Sequence, residues 1–404
     1  MLKSILLIAY VMFPVLSGAT GSFHTVYYTS LAFVETPLSK IKGANAVSKE
    51  VALTRNHYRF EYDVQNRLIS VGFYNGHIPK DPNETANFFF LSSRQEIRYN
   101  GNKEIITFYD KHGNRAKVLG NVSQFLYELD ENGYRKALFF LSDQRKKIEN
   151  SWKISKYKWE GEYGTGAVIE TRYNKEGTPA SIRPGFEFYK TRFIFNQYGN
   201  IALMQNMNER GQLMENNSGA AQDYIETTAE GLFIAWNVLD KNGNLEKGNS
   251  PDIARGVQEF DSFGNEIVYK GFDEKGNLIY NSFGICQSRT EYDSFGNTIY
   301  RIFYDENANP TAHKLAGYVS AKFIWDNTGN QLLSTEYYDL AGNLTNHLQR
   351  GYAIAKTEYD DKNNRVSITY FDKDNNPVSR TDNGISRIEF RYDEKGILVE
   401  RITY

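Results

Sequence analysis

Residues 292–297 read Tyr-Asp-Ser-Phe-Gly-Asn, and variants of this phrase recur along most of the 404-residue chain. Its core is an Asp or Asn, two variable residues and a fourth residue that is nearly always Gly or Asn. Repetition on this scale overrides the two or three domains that chain length alone predicts. The sixteen copies start at Asp63, Asp110, Asp130, Asn174, Asn196, Asn208, Asp240, Asp261, Asp273, Asp293, Asp305, Asp326, Asp339, Asp360, Asp372 and Asp393.

The phrase has the chemistry of a tight turn. Its fourth position is Gly in twelve copies and Asn in three, the two residues that most readily adopt a positive φ. An Asp at the first position caps the turn, the variable pair fits a type I turn, and the left-handed fourth residue returns the chain as a strand. The exception is Ala308, where we predict a strained or distorted turn.

The segments between the turns have the period of β-strands. Ile388, Phe390 and Tyr392 alternate with charged residues, as in a half-buried strand. The residue before the Asp or Asn is aromatic in thirteen of the sixteen copies, although aromatic residues make up 15% of the chain. We expect these aromatic side chains to face the core at the ends of their strands. The alternative is an exposed ladder that stacks on sugars or bases.

The spacing of the turns defines a unit of about 33 residues. Successive units begin their first turn at Asp261, Asp293, Asp326, Asp360 and Asp393, in steps of 32 to 34 residues, and in the first four a second turn follows 12 or 13 residues later. The sequence therefore predicts an all-β fold, in which ten or eleven tandem antiparallel β-hairpin repeats form one long curled or spiralling sheet.

The repeats divide the chain into regions. We expect a β-hairpin repeat domain at residues 58–404 and an N-terminal cap segment at residues 20–57, with a short helix between Ala44 and Leu53. The earliest repeats are degenerate and carry insertions such as residues 79–87, as expected of the end of a repeat stack.

Residues 1–19 have the layout of a secretory signal peptide. Lys3 precedes an apolar run from Ile5 to Leu16, and small residues follow at positions 17–19. The alternative is an uncleaved membrane anchor, but the run is shorter than the roughly 20 residues that span a bilayer. We therefore expect an exported protein, extracellular or in the periplasm or cell envelope, without stable membrane insertion after signal removal.

The single cysteine and the distribution of charge exclude several classes of protein. Cys286 is the only cysteine, so no intrachain disulfide forms, and it lies too far from the signal to carry a lipid anchor; we expect a buried hydrophobic side chain there. The net charge is −2, and the Lys and Arg residues are scattered along the chain. Nucleic acid is therefore not an expected partner.

The phrases at residues 292–297 and at residues 359–364, Tyr-Asp-Asp-Lys-Asn-Asn, resemble the Tyr-Asp repeats of the RHS/YD family of bacterial surface and secreted proteins. The resemblance covers about residues 58–404. It implies a long β-sheet that spirals into a shell, which in that family often surrounds a C-terminal toxin. The repeat here is a double unit rather than the shorter single repeat of the family.

The sequence predicts no catalytic residue, no cofactor and no metal. It lacks a nucleophile elbow, a zinc-protease motif and a phosphate-binding loop. The histidines are widely separated, namely His24, His57, His77, His112, His313 and His347. The nearest approach to a calcium loop, Asp372 and Asp374 with Asn375 and Asn376, lacks a Glu at the twelfth position. A catalytic site built from a pair of carboxylates remains an alternative, because acidic residues are numerous.

Two classes of function remain. The first is an exported non-catalytic repeat scaffold that binds a protein or glycan partner or has a structural role. The second is a secreted enzyme with a site in the irregular N-terminal third, around Trp152, Trp159 and residues 161–166. A shell fragment of a toxin-delivery system is a further alternative that rests on the family resemblance.

Overall fold

The computed structural model of the chain describes residues 22–82, 87–162 and 166–404. The expected signal peptide at residues 1–19 lies outside the described residues. None of the helices in the described part of the chain is long and apolar enough to cross a membrane.

The N-terminal residues add two strands to the sheet and form one short helix. Strand β1 (His24–Leu31) pairs antiparallel with β2 (Gly43–Val47). The expected helix from Ala44 to Leu53 is wrong in its first half, which belongs to β2. Helix α1 covers only Lys49–Ala52, and its N-cap Ser48 accepts the N–H of Val51.

The remainder of the described chain forms eleven successive antiparallel hairpins, which confirms the all-β repeat fold. Strand β1 pairs with the first of them, and each later hairpin pairs with its predecessor, in a single open sheet of 26 strands. The short strands β5 (Ile78–Pro79) and β10 (Lys147–Ile148) pair with β4 and β9. In chain order the hairpins are β3 (Asn56–Tyr62) with β4 (Leu68–Asn75), β6 (Arg94–Asn100) with β7 (Lys103–Tyr109), β8 (Gln124–Leu129) with β9 (Arg135–Leu141), β11 (Lys156–Glu162) with β12 (Ala167–Tyr173), β13 (Lys190–Phe195) with β14 (Ile201–Met207), β15 (Gln222–Thr227) with β16 (Phe233–Leu239), β17 (Arg255–Phe260) with β18 (Glu266–Phe272), β19 (Gln287–Tyr292) with β20 (Thr298–Tyr304), β21 (Ser320–Trp325) with β22 (Leu332–Tyr338), β23 (Ile354–Tyr359) with β24 (Arg365–Phe371), and β25 (Arg387–Tyr392) with β26 (Leu398–Thr403).

The repeated phrase forms the tight turns, as expected. In the copy at Asp273 one carboxylate oxygen accepts the N–H groups of Lys275 at 2.9 Å and Asn277 at 2.7 Å. The other oxygen accepts the Asn277 side-chain amide at 2.9 Å. The fifth residue is therefore Asn because its amide completes the cap of the first. The same bonds lower the pKa of the equivalent Asp240 to about 2, chiefly through the Asn244 side chain.

All sixteen copies place their fourth residue at a positive φ, including Ala308 at 61°. The structure also has turns of the same type that the phrase did not reveal. They begin at Ser142, Asn150, Asn216, Thr228 and Asn281, with Arg145, Lys153, Gly219, Gly231 and Gly284 in the left-handed position. A Ser or Thr in place of Asp concealed two of them, and a long left-handed residue concealed the turn at Asn150. The turns at Asn216 and Asn281 fit the Asn-x-x-Gly pattern and were overlooked.

Replacing Ala308 by Gly should stabilise the protein by up to about 1 kcal/mol, because it relieves the left-handed strain of an alanine. The measurement is the midpoint of thermal unfolding. The matched control is Ala355→Gly in the interior of β23, which should destabilise by about 0.5–1 kcal/mol because no strain is relieved there. Destabilisation by both variants would contradict the turn geometry.

Most of the aromatic residues before the turns lie outside the core, contrary to expectation, although Tyr62 and Phe195 pack against buried core residues. All thirteen are half-buried. Where an aromatic residue precedes the turn that joins the two strands of a hairpin, its ring contacts the preceding hairpin. Tyr292 Oη donates to the Glu266 carbonyl at 2.8 Å, and Trp325 Nε1 donates to the Thr298 carbonyl at 2.9 Å. The bulge at each of these two strand ends rotates the side chain out of the strand alternation, so the ring bridges neighbouring hairpins.

The core lies on the inner face of the curled sheet. In the first hairpins this face carries large apolar residues such as Phe108, Phe125 and Phe140. Two segments outside the strands cover it. Phe33 and Val34 come from the connection between β1 and β2, and Phe89 comes from the insertion before β6. We call one revolution of the curled sheet a coil. The N-terminal insertions therefore fill the inside of the first coil.

The sheet curls until its first hairpins reach its later ones. The first coil donates hydrogen bonds to successive hairpin turns of the second, a row that we call the seam. The donor–acceptor distances are 2.8 Å from Phe33 N to Gly231 O, 2.8 Å from Ser30 Oγ to Gly264 O, 2.8 Å from Asn56 N to Phe295 O, 2.8 Å from Asn75 Nδ2 to Thr328 O, 2.6 Å from Lys111 Nζ to Asn363 O, and 2.8 Å from Asn114 Nδ2 to Lys395 O.

The seam fixes the number of repeats in each coil. Lys80, after the first hairpin, bonds to Gly329 in the ninth, and Lys111, after the second, bonds to Asn363 in the tenth. One coil therefore contains eight hairpins, or sixteen strands. At about 4.8 Å between strands the circumference is about 75 Å.

Candidate functional site in the filled interior and the outer cleft

The inside of the coil holds a polar network around the inner segment, which we define as residues 32–42. Glu35 forms an ion pair with Arg183, Nε to Oε1 at 2.8 Å. Thr36 donates to the Glu170 carboxylate, and Arg135 donates to the carbonyl of Pro37 at 2.7 Å. The inner segment is therefore fixed by charged side chains of the sheet.

Glu170 and Arg172 form the centre of this network, and both are fully buried. Their ion pair is supported by the indole N–H of Trp159, 2.7 Å from Glu170. Arg172 Nη2 donates to the carbonyls of Phe188 at 2.6 Å and Tyr189 at 2.7 Å. Each charge has several partners, which is the arrangement that a buried ion pair needs.

Three carboxylates among the described residues have a raised pKa, namely Glu35, Asp223 and Glu266. Burial is the main cause in each, and it raises the pKa of Asp223 to about 7, with the charge of Glu35 adding to the effect. Asp223 is 3% exposed, and both its oxygens accept the Asn249 amide, at 3.2 and 3.1 Å. A side chain so enclosed has no access to a substrate.

Replacing Asp223 by Asn should stabilise the protein at pH 8 by about 1–3 kcal/mol and change little at pH 4.5. The folded protein holds the Asp223 proton below about pH 7, whereas the unfolded chain loses it near 3.8. This contribution to stability is complete below pH 4 and is lost as the pH rises through 7. Urea unfolding at both pH values tests it, and an equal effect at both would contradict a buried, titrating Asp223.

The region expected for an enzyme site is largely core. Trp159 is buried and bonded to Glu170, and Trp152 packs edge-on against Phe89, with ring centroids 6.2 Å apart. Gly166 is at a positive φ in a turn, and residues 163–165 lie outside the described part of the chain. The buried Glu170 is paired with Arg172, and the exposed Glu160 is paired with Lys158.

The outer face of the same hairpins carries a cleft of about 710 Å³. It lies where β9, β10, β11 and β12 meet the turn that follows Tyr173. Phe139 forms its floor, and the Nζ atoms of Lys147 and Lys156 lie 3.3 and 5.4 Å from the centroid of that ring. Lys175 lines the opposite side. The cleft thus combines aromatic surface with several ammonium groups.

Sequence reasoning overlooked this charge because it treated Lys and Arg as scattered. Residues 144–158 contain six cationic residues and the single acid Glu149. Five of the six are exposed, and Lys156 is half-buried. A window of fifteen residues would have found the run, but its convergence with Phe139 and Lys175 depends on strand pairing.

The side chains of His313, of His347 and of Asp372 in the calcium-like loop are engaged in local packing and turn contacts. His313 and His347 lie 34 positions apart in the sequence, yet the repeat brings both against Tyr318, with centroids 6.0 and 5.7 Å away. Burial lowers the pKa of His347 to about 4. Asp372 uses its carboxylate for the N–H groups of Asp374 and Asn376. The described residues contain no cluster of three or more His, Cys, Asp or Glu side chains suited to a metal ion.

Comparison with known proteins gives distant similarities. No family model matches the chain. No curated protein matches it either. Among solved structures, TcdB2-TccC3-TEV shows 10% identity over 88% of this chain and 17% of its own, with a TM-score of 0.29, and TcdB2-TccC3-Cdc42 shows 14% identity over 88% and 17%, with a TM-score of 0.26. A porin-like protein from Bacteroides uniformis matches at 9% identity, 87% and 96% coverage and a TM-score of 0.20.

The chain spans less than a fifth of the length of the two TcdB2-TccC3 chains.

Proposed function

We propose that this chain is an exported, non-catalytic repeat scaffold that binds a protein or glycan partner on its outer face. The observation that supports this best is the asymmetry of the coil. The inner face is filled by the inner segment and by the insertion before β6, and the seam bonds one coil to the next. Such a sheet holds its outer side chains in fixed positions, as a binding surface needs.

The first test concerns export. The full chain is produced in a bacterial host, and the mature protein is recovered from the periplasm or medium. We expect its N-terminus at Thr20, and recovery only in the cytoplasm with Met1 intact would refute export.

The second test separates binding from catalysis. The mature protein is applied to an array of neutral and acidic glycans, and the bound glycans are then analysed by mass spectrometry after prolonged incubation. Retention of intact glycan supports a scaffold. Time-dependent cleavage would overturn it in favour of the secreted enzyme.

A further inference from the structure

We propose that the outer cleft binds an acidic oligosaccharide whose carboxylate groups lie between Lys147, Lys156 and Lys175. This inference rests on the proposed scaffold function and specifies its ligand class. It depends on three features of the cleft, namely unpaired charge, preorganised amines and a mixed aromatic and polar wall.

The cleft carries excess positive charge. Lys147 and Lys156 form no ion pair among the described residues, whereas Lys175 pairs with the exposed Glu176 at 3.6 Å and the nearby Lys158 pairs with Glu160 at 2.5 Å. Glu149 is the acid that lines the cleft with these three lysines, and its Oε1 accepts the backbone N–H of Lys175 at 2.7 Å. A chain with a net charge of −2 thus concentrates positive charge at one place.

The amines are held together despite their repulsion. Both lie over the Phe139 ring, which attracts each of them by a cation–π interaction. Two ammonium groups that share one ring repel each other, and an anion between them removes that repulsion. The arrangement favours a ligand with discrete negative groups.

The walls favour a sugar over a nucleic acid. A volume of about 710 Å³ is in the range of small-ligand sites. Ile148 and the half-buried Tyr173 offer apolar surface for the C–H faces of sugar rings. The lysines cover the face of Phe139, so that ring is no platform for a base, and the short cluster lacks the long basic track that follows a phosphate backbone.

The test measures the affinity of the mature protein for oligogalacturonate by calorimetry at low and physiological salt. The double variant Lys147→Gln/Lys156→Gln should lose at least tenfold in affinity, and the wild-type affinity should fall as salt rises. The matched control is Lys322→Gln/Lys356→Gln. It makes the same charge change at outer-face lysines that lie over single rings, those of Tyr338 and Phe371.

Several outcomes would overturn the inference. Equal loss in both double variants would mean general electrostatic attraction, and equal affinity for a neutral galactose oligomer would exclude carboxylate recognition. Tighter binding of polyglutamate or of an oligonucleotide would mean that the cleft binds acidic peptides or nucleic acid rather than an acidic oligosaccharide. Failure to bind oligogalacturonate by an exported protein that retains another glycan would refute this inference alone, whereas cleavage of the oligosaccharide would refute the non-catalytic function itself.

Discussion

Arg172→Met should destabilise the protein by about 3–5 kcal/mol. The substitution leaves the fully buried carboxylate of Glu170 without its cation. It also removes the donor to the carbonyls of Phe188 and Tyr189, so buried acceptors lose their partner. Guanidinium unfolding followed by tryptophan fluorescence is the measurement, because Trp159 bonds to Glu170.

Two further variants test whether burial of the ion pair causes this loss of stability. Arg391→Met removes an exposed ion pair, Arg391 to Glu400 at 2.8 Å, and should change stability by less than about 1 kcal/mol. The double variant Glu170→Gln/Arg172→Met removes the uncompensated charge and should recover part of the loss. A single Arg172→Met variant as stable as Arg391→Met would contradict the role of the network.

Gly329→Val should destabilise the seam by more than about 2 kcal/mol. Gly329 has a φ of 70°, which a β-branched residue adopts only with strain. A Cβ there would lie 2.6 Å from the Phe295 ring and 2.9 Å from Asn297 Nδ2. The Gly329 carbonyl also accepts Lys80 Nζ at 2.9 Å, so displacing this turn breaks a contact between coils.

The chain offers a matched control in Gly342→Val. Gly342 has a φ of 81° in the same type of turn, and a Cβ there would meet nothing within 4 Å. Both variants carry the backbone strain, whereas Gly329→Val also carries the clash with Phe295 and Asn297 and the loss of the Lys80 contact, so thermal unfolding of both separates the backbone strain from the other costs. Equal destabilisation would mean that neither the packing of this turn nor its seam contact contributes to stability.

Local chemistry made the turns predictable. An Asp that caps its own turn and a Gly at positive φ are properties of five consecutive residues, so sixteen turns and the hairpin order followed from the sequence. The side-chain direction of the preceding aromatic did not, because a bulge at the strand end breaks the alternation on which the expectation rested.

The seam and the inner segment were not predictable in this way. Phe33 and Gly231 are 198 positions apart, and nothing in their local sequence indicates that they meet. Their contact depends on the curvature accumulated over all the hairpins that lie between them in the sheet. The candidate cleft was predictable only in part. The run of basic residues is a local feature of the sequence, whereas the aromatic floor of the cleft comes from another strand.

The offset of eight hairpins has a consequence for how this sequence can evolve. Tandem repeats readily gain and lose whole units by unequal recombination. Loss of one unit between residues 115 and 195 would bring Lys80 opposite Asn363 instead of Gly329, and every later pairing would shift with it. Natural selection should therefore preserve the number of units in the coil while their sequences drift apart, so that each copy acquires an individual identity set by its neighbour in the adjacent coil.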